Sequence, residues 1–116
     1  MNIIEMNPGE KIPYEIIGTI VSLNGGEIAI DLADRQKDVA VFIDIFWTPD
    51  GELQEGSGEA YAANIVIPPW VQKEEDSGEV DDDGKAIYQV VRDPLNMDDA
   101  ILKLWAIPEQ HKNKEE

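Results

Sequence analysis

The feature that most constrains this chain is a turn. Asn24-Gly25-Gly26 separates two runs rich in β-branched residues, Tyr14-Glu15-Ile16-Ile17-Gly18-Thr19-Ile20-Val21-Ser22-Leu23 and Glu27-Ile28-Ala29-Ile30-Asp31-Leu32. Asn-Gly between two such runs is a strong hairpin signal, because both residues tolerate a positive φ. In the second arm Ile28, Ile30 and Leu32 share one face by period two, opposite Ala29 and Asp31. A chain that opens in this way folds by pairing strands.

The same punctuation continues. Ala33 to Asp38 is polar and reads as a loop. Val39, Val41, Ile43, Ile45 and Trp47 then alternate with Ala40, Phe42, Asp44 and Phe46. The second set is only partly polar, which predicts a strand that is central or covered on both sides. Thr48-Pro49-Asp50-Gly51 is a turn, followed by a short return arm near Glu52–Gln54. After a loop at Glu55–Glu59, Tyr61, Ala63, Ile65 and Ile67 fall on one face of another strand, which Pro68-Pro69 stops.

Gln72 to Lys85 carries Glu74, Glu75, Asp76, Glu79, Asp81, Asp82 and Asp83 with glycines at 78 and 84. Clustered like charges with almost no apolar residue predict a solvated, mobile acidic loop over 72–85. Ala86–Arg92 reads as a strand ended by Asp93-Pro94. Asn96 has the form of a helix cap, and the sequence predicts one helical turn at Met97–Asp99 before a final strand near Ala100–Ile107. A helical reading of the same segment places Met97, Ala100, Ile101, Leu104 and Trp105 on one stripe. The expected architecture is mainly β: a small antiparallel β-sandwich or partly open β-barrel of six to eight strands, with at most one short helix near the C-terminus. One domain is expected over residues 1–110, with a frayed tail at 111–116.

Charge narrows the function classes. Twenty-five acids against nine bases give a net charge of -16, spread over both halves of the chain. Such a surface repels phosphate backbones and anionic membranes, so direct nucleic-acid or membrane binding is not expected. The charge serves solubility, or it addresses a basic partner or mimics a nucleic acid. No apolar run approaches the roughly 20 residues of a membrane span, and no secretion signal is read, so a cytoplasmic protein is expected. With no cysteine, disulfides and thiolate chemistry are excluded.

Catalytic and cofactor motifs fail on residue identity. Aligning Gly84 with the glycine of an EF-hand loop puts Glu79, Asp81 and Asp83 on ligand positions, but the twelfth position is Val90, which has no oxygen to offer. His111 is the single histidine and lies in a charged tail, which argues against imidazole-ligated metals and against a Ser-His-Asp triad. There is no phosphate-cradling glycine motif. Asp31 and Asp44 alone interrupt apolar runs, and are expected to face solvent or a base such as Arg35 or Arg92. No enzyme activity and no cofactor are expected.

Trp47, Trp70 and Trp105 each lie near a proline at a strand end (Pro49, Pro69, Pro108), where they would plug a small core. Trp70 is the best candidate for exposure. Small size, acidity and the lack of cysteine resemble accessory proteins of phages and prophages, a likeness of type that carries no residue with it. The expected function is a non-catalytic protein–protein interaction or assembly domain, binding another protein or itself. An acidic inhibitor of a basic surface is the alternative, and a carbohydrate-binding module a weaker one. The expected partner-binding residues are Trp70, Glu74, Glu75, Asp76, Glu79, Asp81, Asp82 and Asp83.

Overall fold

In the computed structural model, which describes residues 1–112, the chain is mainly β, with ten strands in three sheets. The strands are β1 (Asn2–Glu5), β2 (Tyr14–Ile17), β3 (Ile20–Leu23), β4 (Ile28–Asp31), β5 (Val41–Trp47), β6 (Leu53–Glu55), β7 (Ala60–Ile67), β8 (Gln72–Val80), β9 (Ala86–Arg92) and β10 (Ile101–Leu104). One helical turn, α1 (Leu32–Arg35), and two 3₁₀ turns, Met97–Asp99 and Glu109–His111, complete the described elements. None of these is long and apolar enough to cross a membrane.

The body has two layers. A five-stranded sheet in the order β1-β10-β7-β5-β6 packs one face against a three-stranded sheet, β2-β3-β4. One cluster fills the space between them: Val21, Leu23 and Ile30 from the small sheet meet Ile43, Ile45, Trp47, Ile65, Ile67, Leu102 and Leu104 from the large one. This fits the sandwich or open barrel expected from period-two patterning. The Asn96 cap and the helical turn at Met97–Asp99 lie where the sequence places them, and the last segment is strand rather than helix.

Several local expectations are corrected. The run Tyr14–Leu23 is two strands, because Gly18 takes a φ of 60° and Ile17 pairs with Ile20 across a two-residue turn. Thr19 in that turn is pinned by Asp31, whose carboxylate accepts the Thr19 hydroxyl at 2.6 Å and caps α1 by accepting the Ala33 N–H. Asp31 therefore serves the backbone and not an arginine. That cap also makes Leu32–Arg35 helical, where Leu32 was expected to end the strand and Ala33 to begin a loop. His111 is not part of a frayed tail: it is buried, with its ring stacked on Trp47 at 5.3 Å. The rest of the expected tail, 113–116, lies outside the described residues.

The largest departure concerns 72–85. Gln72–Val80 is a strand, and only the following residues form a turn. Its partner β9 has high β propensity and supplies the backbone ladder from Gln72↔Arg92 to Asp76↔Tyr88. The carboxylates of β8 all point into water, so pairing does not desolvate them. Asp81 closes the turn by accepting the N–H groups of Asp83 and Lys85, each at 2.9 Å.

Candidate functional site

Of the uncovered surfaces, two bear on function. The first is the β8–β9 hairpin, which joins neither of the other sheets. The molecule measures 74 Å along its long axis and 21 Å along the other two. Its radius of gyration, 19.5 Å, exceeds the ~13 Å of a compact chain of this length. A strand of nine residues reaches about 30 Å, so the hairpin accounts for a large part of this elongation.

Residue types on this arm are sorted by strand, with the carboxylates on β8 and most of the apolar side chains on β9. Cross-strand register places Tyr88 beside Asp76, Val90 beside Glu74, and Ala86 beside Val80 on one side. Val80, Tyr88 and Val90 are 65%, 62% and 64% exposed. One face thus holds an apolar stripe with the carboxylates of Glu74 and Asp76 along one side, while Ile87, 40% exposed, falls on the other face. Seven acids against three bases over 72–92 give the arm a net charge of -4. Isolated two-stranded hairpins are marginal in water, and exposed β-branched and aromatic residues add to that cost.

The root of the arm is tied to the body. Trp70 donates its backbone N–H to Lys37 at 2.8 Å, and Asp93 donates its own to Val71 at 2.8 Å. Arg92 lies over the Trp70 ring at 3.4 Å, a cation–π contact that covers one ring face and leaves Trp70 half-buried. Lys73 and Asp93 pair at 3.0 Å, and that carboxylate holds the Lys73 ammonium pKa above the usual lysine value. Of the residues expected to bind a partner, Glu74, Glu75, Asp76, Glu79, Asp81, Asp82 and Asp83 all lie on the arm and its tip. Trp70 sits at the root as a clamp.

The second surface is the outer face of the five-stranded sheet. An extra residue in β7 shapes it: Ile45 pairs with Ala63 but Phe46 with Tyr61, so Ala62 is a bulge. The bulge sends Tyr61 outward, opposite to the face expected from strict alternation. Tyr61 there stacks between Phe46 at 4.8 Å and Trp105 at 5.5 Å. Asn64 on the same face accepts the Trp105 indole N–H at 2.6 Å and donates to the Asp44 carboxylate at 2.8 Å. Asp44 is held by an amide and not by a base. Phe42, 71% exposed, completes the face next to Val66. Central placement of β5 agrees with its pattern, but nothing among the described residues covers this side.

Phe46, Tyr61 and Trp105 stack ring on ring, which leaves Tyr61 with a ring against each of its faces. A sugar platform needs a free ring face, and those of Trp70 and Tyr61 are at least partly covered while Trp47 is buried. A groove of about 500 Å³ lies beside β4, lined by Glu27, Asp31, Asp34, Arg35 and Glu55. Four of these five groups are already engaged: Glu27 accepts the Leu53 N–H, Asp31 caps α1, and Arg35 pairs with Glu55. Among the described residues, no group of three or more His, Cys, Asp or Glu could hold a metal ion.

Sequence reasoning found the acids of the arm and missed its apolar stripe, because Val80 and Tyr88 belong to different runs that only the hairpin brings to one face. It also missed the aromatic row, although the alternation of Phe42 and Phe46 with Asp44 was a visible sign of a second apolar face. No protein-family model, no curated protein and no solved structure matches this chain.

Proposed function

We propose that this protein is a non-catalytic interaction and assembly domain that engages a basic partner protein through its β8–β9 arm. The observation that carries the reading is the uncovered face of the arm, where Val80, Tyr88 and Val90 lie exposed beside the carboxylates of Glu74 and Asp76 on β8. An apolar stripe gives a partner something to bury, and the flanking acids select one that brings lysines or arginines. The free edges of the two strands add backbone donors and acceptors for an incoming strand. The body, with its single core, serves as the mount.

The test is affinity capture with the intact protein, with a variant carrying Val80→Ser, Tyr88→Ser and Val90→Ser, and with one in which the seven arm acids are replaced by Asn or Gln. The reading expects one captured basic protein, lost from both variants. If loss of the acids abolishes binding while loss of the stripe does not, and binding falls steeply with salt, the acidic-inhibitor reading takes its place. Equal capture by all three proteins would refute both.

A further inference from the structure

We infer that the outer face of the five-stranded sheet pairs with the same face of a second copy, about a two-fold axis running roughly along β7. This surface is separate from the arm, and the inference stands or falls independently of the proposed partner.

β7 is the middle strand of five, with β5 and β10 on either side. Register and ring stacking lay nine outward side chains in three rows. The first row is Phe42, Val66 and Ile101; the second is Asp44, Asn64 and Lys103; the third is Phe46, Tyr61 and Trp105. A two-fold axis along β7 turns the sheet over and exchanges the β5 and β10 sides. Apolar side chains then lie over apolar ones in the first and third rows. In the second row Asp44 of one copy meets Lys103 of the other, twice by symmetry. An axis across the strands would instead put Asp44 on Asp44 and Lys103 on Lys103. Charge therefore selects the axis.

Two observations point to a second copy as the occupant. In a chain of net charge -16, this nine-residue patch holds one carboxylate and one ammonium, so two copies can approach here without net repulsion within the patch. Lys103 makes no ion pair among the described residues, and Asp44 is held only by the Asn64 amide on one oxygen, so both retain capacity for a new partner. The area sets the strength: strands of four, four, eight, seven and three residues at ~3.3 Å per residue and ~4.8 Å spacing give about 400 Å² of face per copy, or about 800 Å² for the pair, below the roughly 1,000 Å² of a stable interface, so the dimer expected is a weak one. Sheets stacked in this way sit about 10 Å apart, a spacing that lets facing side chains interdigitate.

Sedimentation velocity from about 1 to 200 µM at fixed salt tests the inference, on the wild type, Phe42→Glu, Lys103→Asp, and the exchange Asp44→Lys with Lys103→Asp. The wild type is expected to dimerise, and both single variants to do so at least tenfold more weakly. The exchanged pair is expected to recover most of the affinity of the wild type. Circular dichroism confirms that each variant is folded. Phe42→Glu, at an already exposed position, keeps the test decisive should a charge variant fail to fold. A wild type that stays monomeric throughout overturns the inference. So does a dimer indifferent to Phe42→Glu, or a folded exchange variant no better than Lys103→Asp.

Discussion

Asn64 offers the sharpest check on the polar row of the open sheet face. It accepts the Trp105 indole N–H at 2.6 Å and donates to Asp44 at 2.8 Å, both in part-buried surroundings. Asn64→Ala removes both bonds at once. A neutral hydrogen bond contributes about 1 kcal/mol and one to a charged acceptor about 1.5–3 kcal/mol. Partial exposure lets water take over part of each, which brings the expected loss to about 1.5 kcal/mol. For a domain of this size that corresponds to a fall in Tm of about 6 °C. In urea it corresponds to a midpoint lower by roughly 1 M. Asn64→Asp sharpens the test, because it sets a second carboxylate against Asp44. Near neutral pH the two repel, and the variant is expected to be less stable than Asn64→Ala. On acidification the pair takes up a proton that the folded state binds more tightly than the unfolded chain, so stability relative to wild type should rise as pH falls. Urea melts at pH 7 and pH 4.5, run near 1 µM protein, measure both. A loss under about 0.5 kcal/mol for Asn64→Ala, or an Asn64→Asp deficit that deepens with acid, would show that the row is not a coupled network.

Four further outcomes follow from the same structure. Gly58→Ala places a Cβ 2.3 Å from the Phe46 Cβ and 2.8 Å from the Trp47 carbonyl oxygen, so it is expected to destabilise by about 2 kcal/mol or more in thermal melts, whereas an alanine at Gly84, which meets open space but has a φ of +79°, costs about 1 kcal/mol. Replacing residues 72–92 by Asn-Gly, across the Asp93–Val71 hydrogen bond, should leave the Tm of the body within about 3 °C; a collapse would show that the arm belongs to the core. His111→Ala removes the ring stacked on Trp47 and should cost about 1–2 kcal/mol, read as a lower urea midpoint; a neutral result would mean that the C-terminal turn does not close the core. The raised pKa of Lys73 means that its pairing with Asp93 is fully present below the ordinary lysine value of 10.5 and lost as pH climbs through the higher folded value, so amide exchange protection at the arm root, compared with Lys73→Ala, should differ at pH 8 and the difference should shrink only as the pH rises past 10.5.

Much of the fold was legible because its causes are local. Alternation in Val41–Trp47, the Pro49-Asp50-Gly51 turn and the Asn96 cap each depend on residues a few positions apart, and all three appear in the structure, although the expected strand began at Val39, which lies outside β5 and is exposed. The candidate surfaces were legible only in part. The acids of the arm are visible as a cluster, but charge density reads as disorder when the pairing strand that orders it lies beyond a turn.

The sequence by itself determined that this chain pairs strands, where its main turns fall, and that it carries a large excess of negative charge. Periodicity and turn chemistry act within a few residues, and charge is a sum. Tertiary structure alone decided that Ala62 bulges, that Tyr61 therefore joins Phe46 and Trp105, and that Asp44, Asn64 and Lys103 align in one row. Those relations arise from the register between strands distant in sequence, and a one-residue slip in register moves a side chain to the opposite face of the sheet.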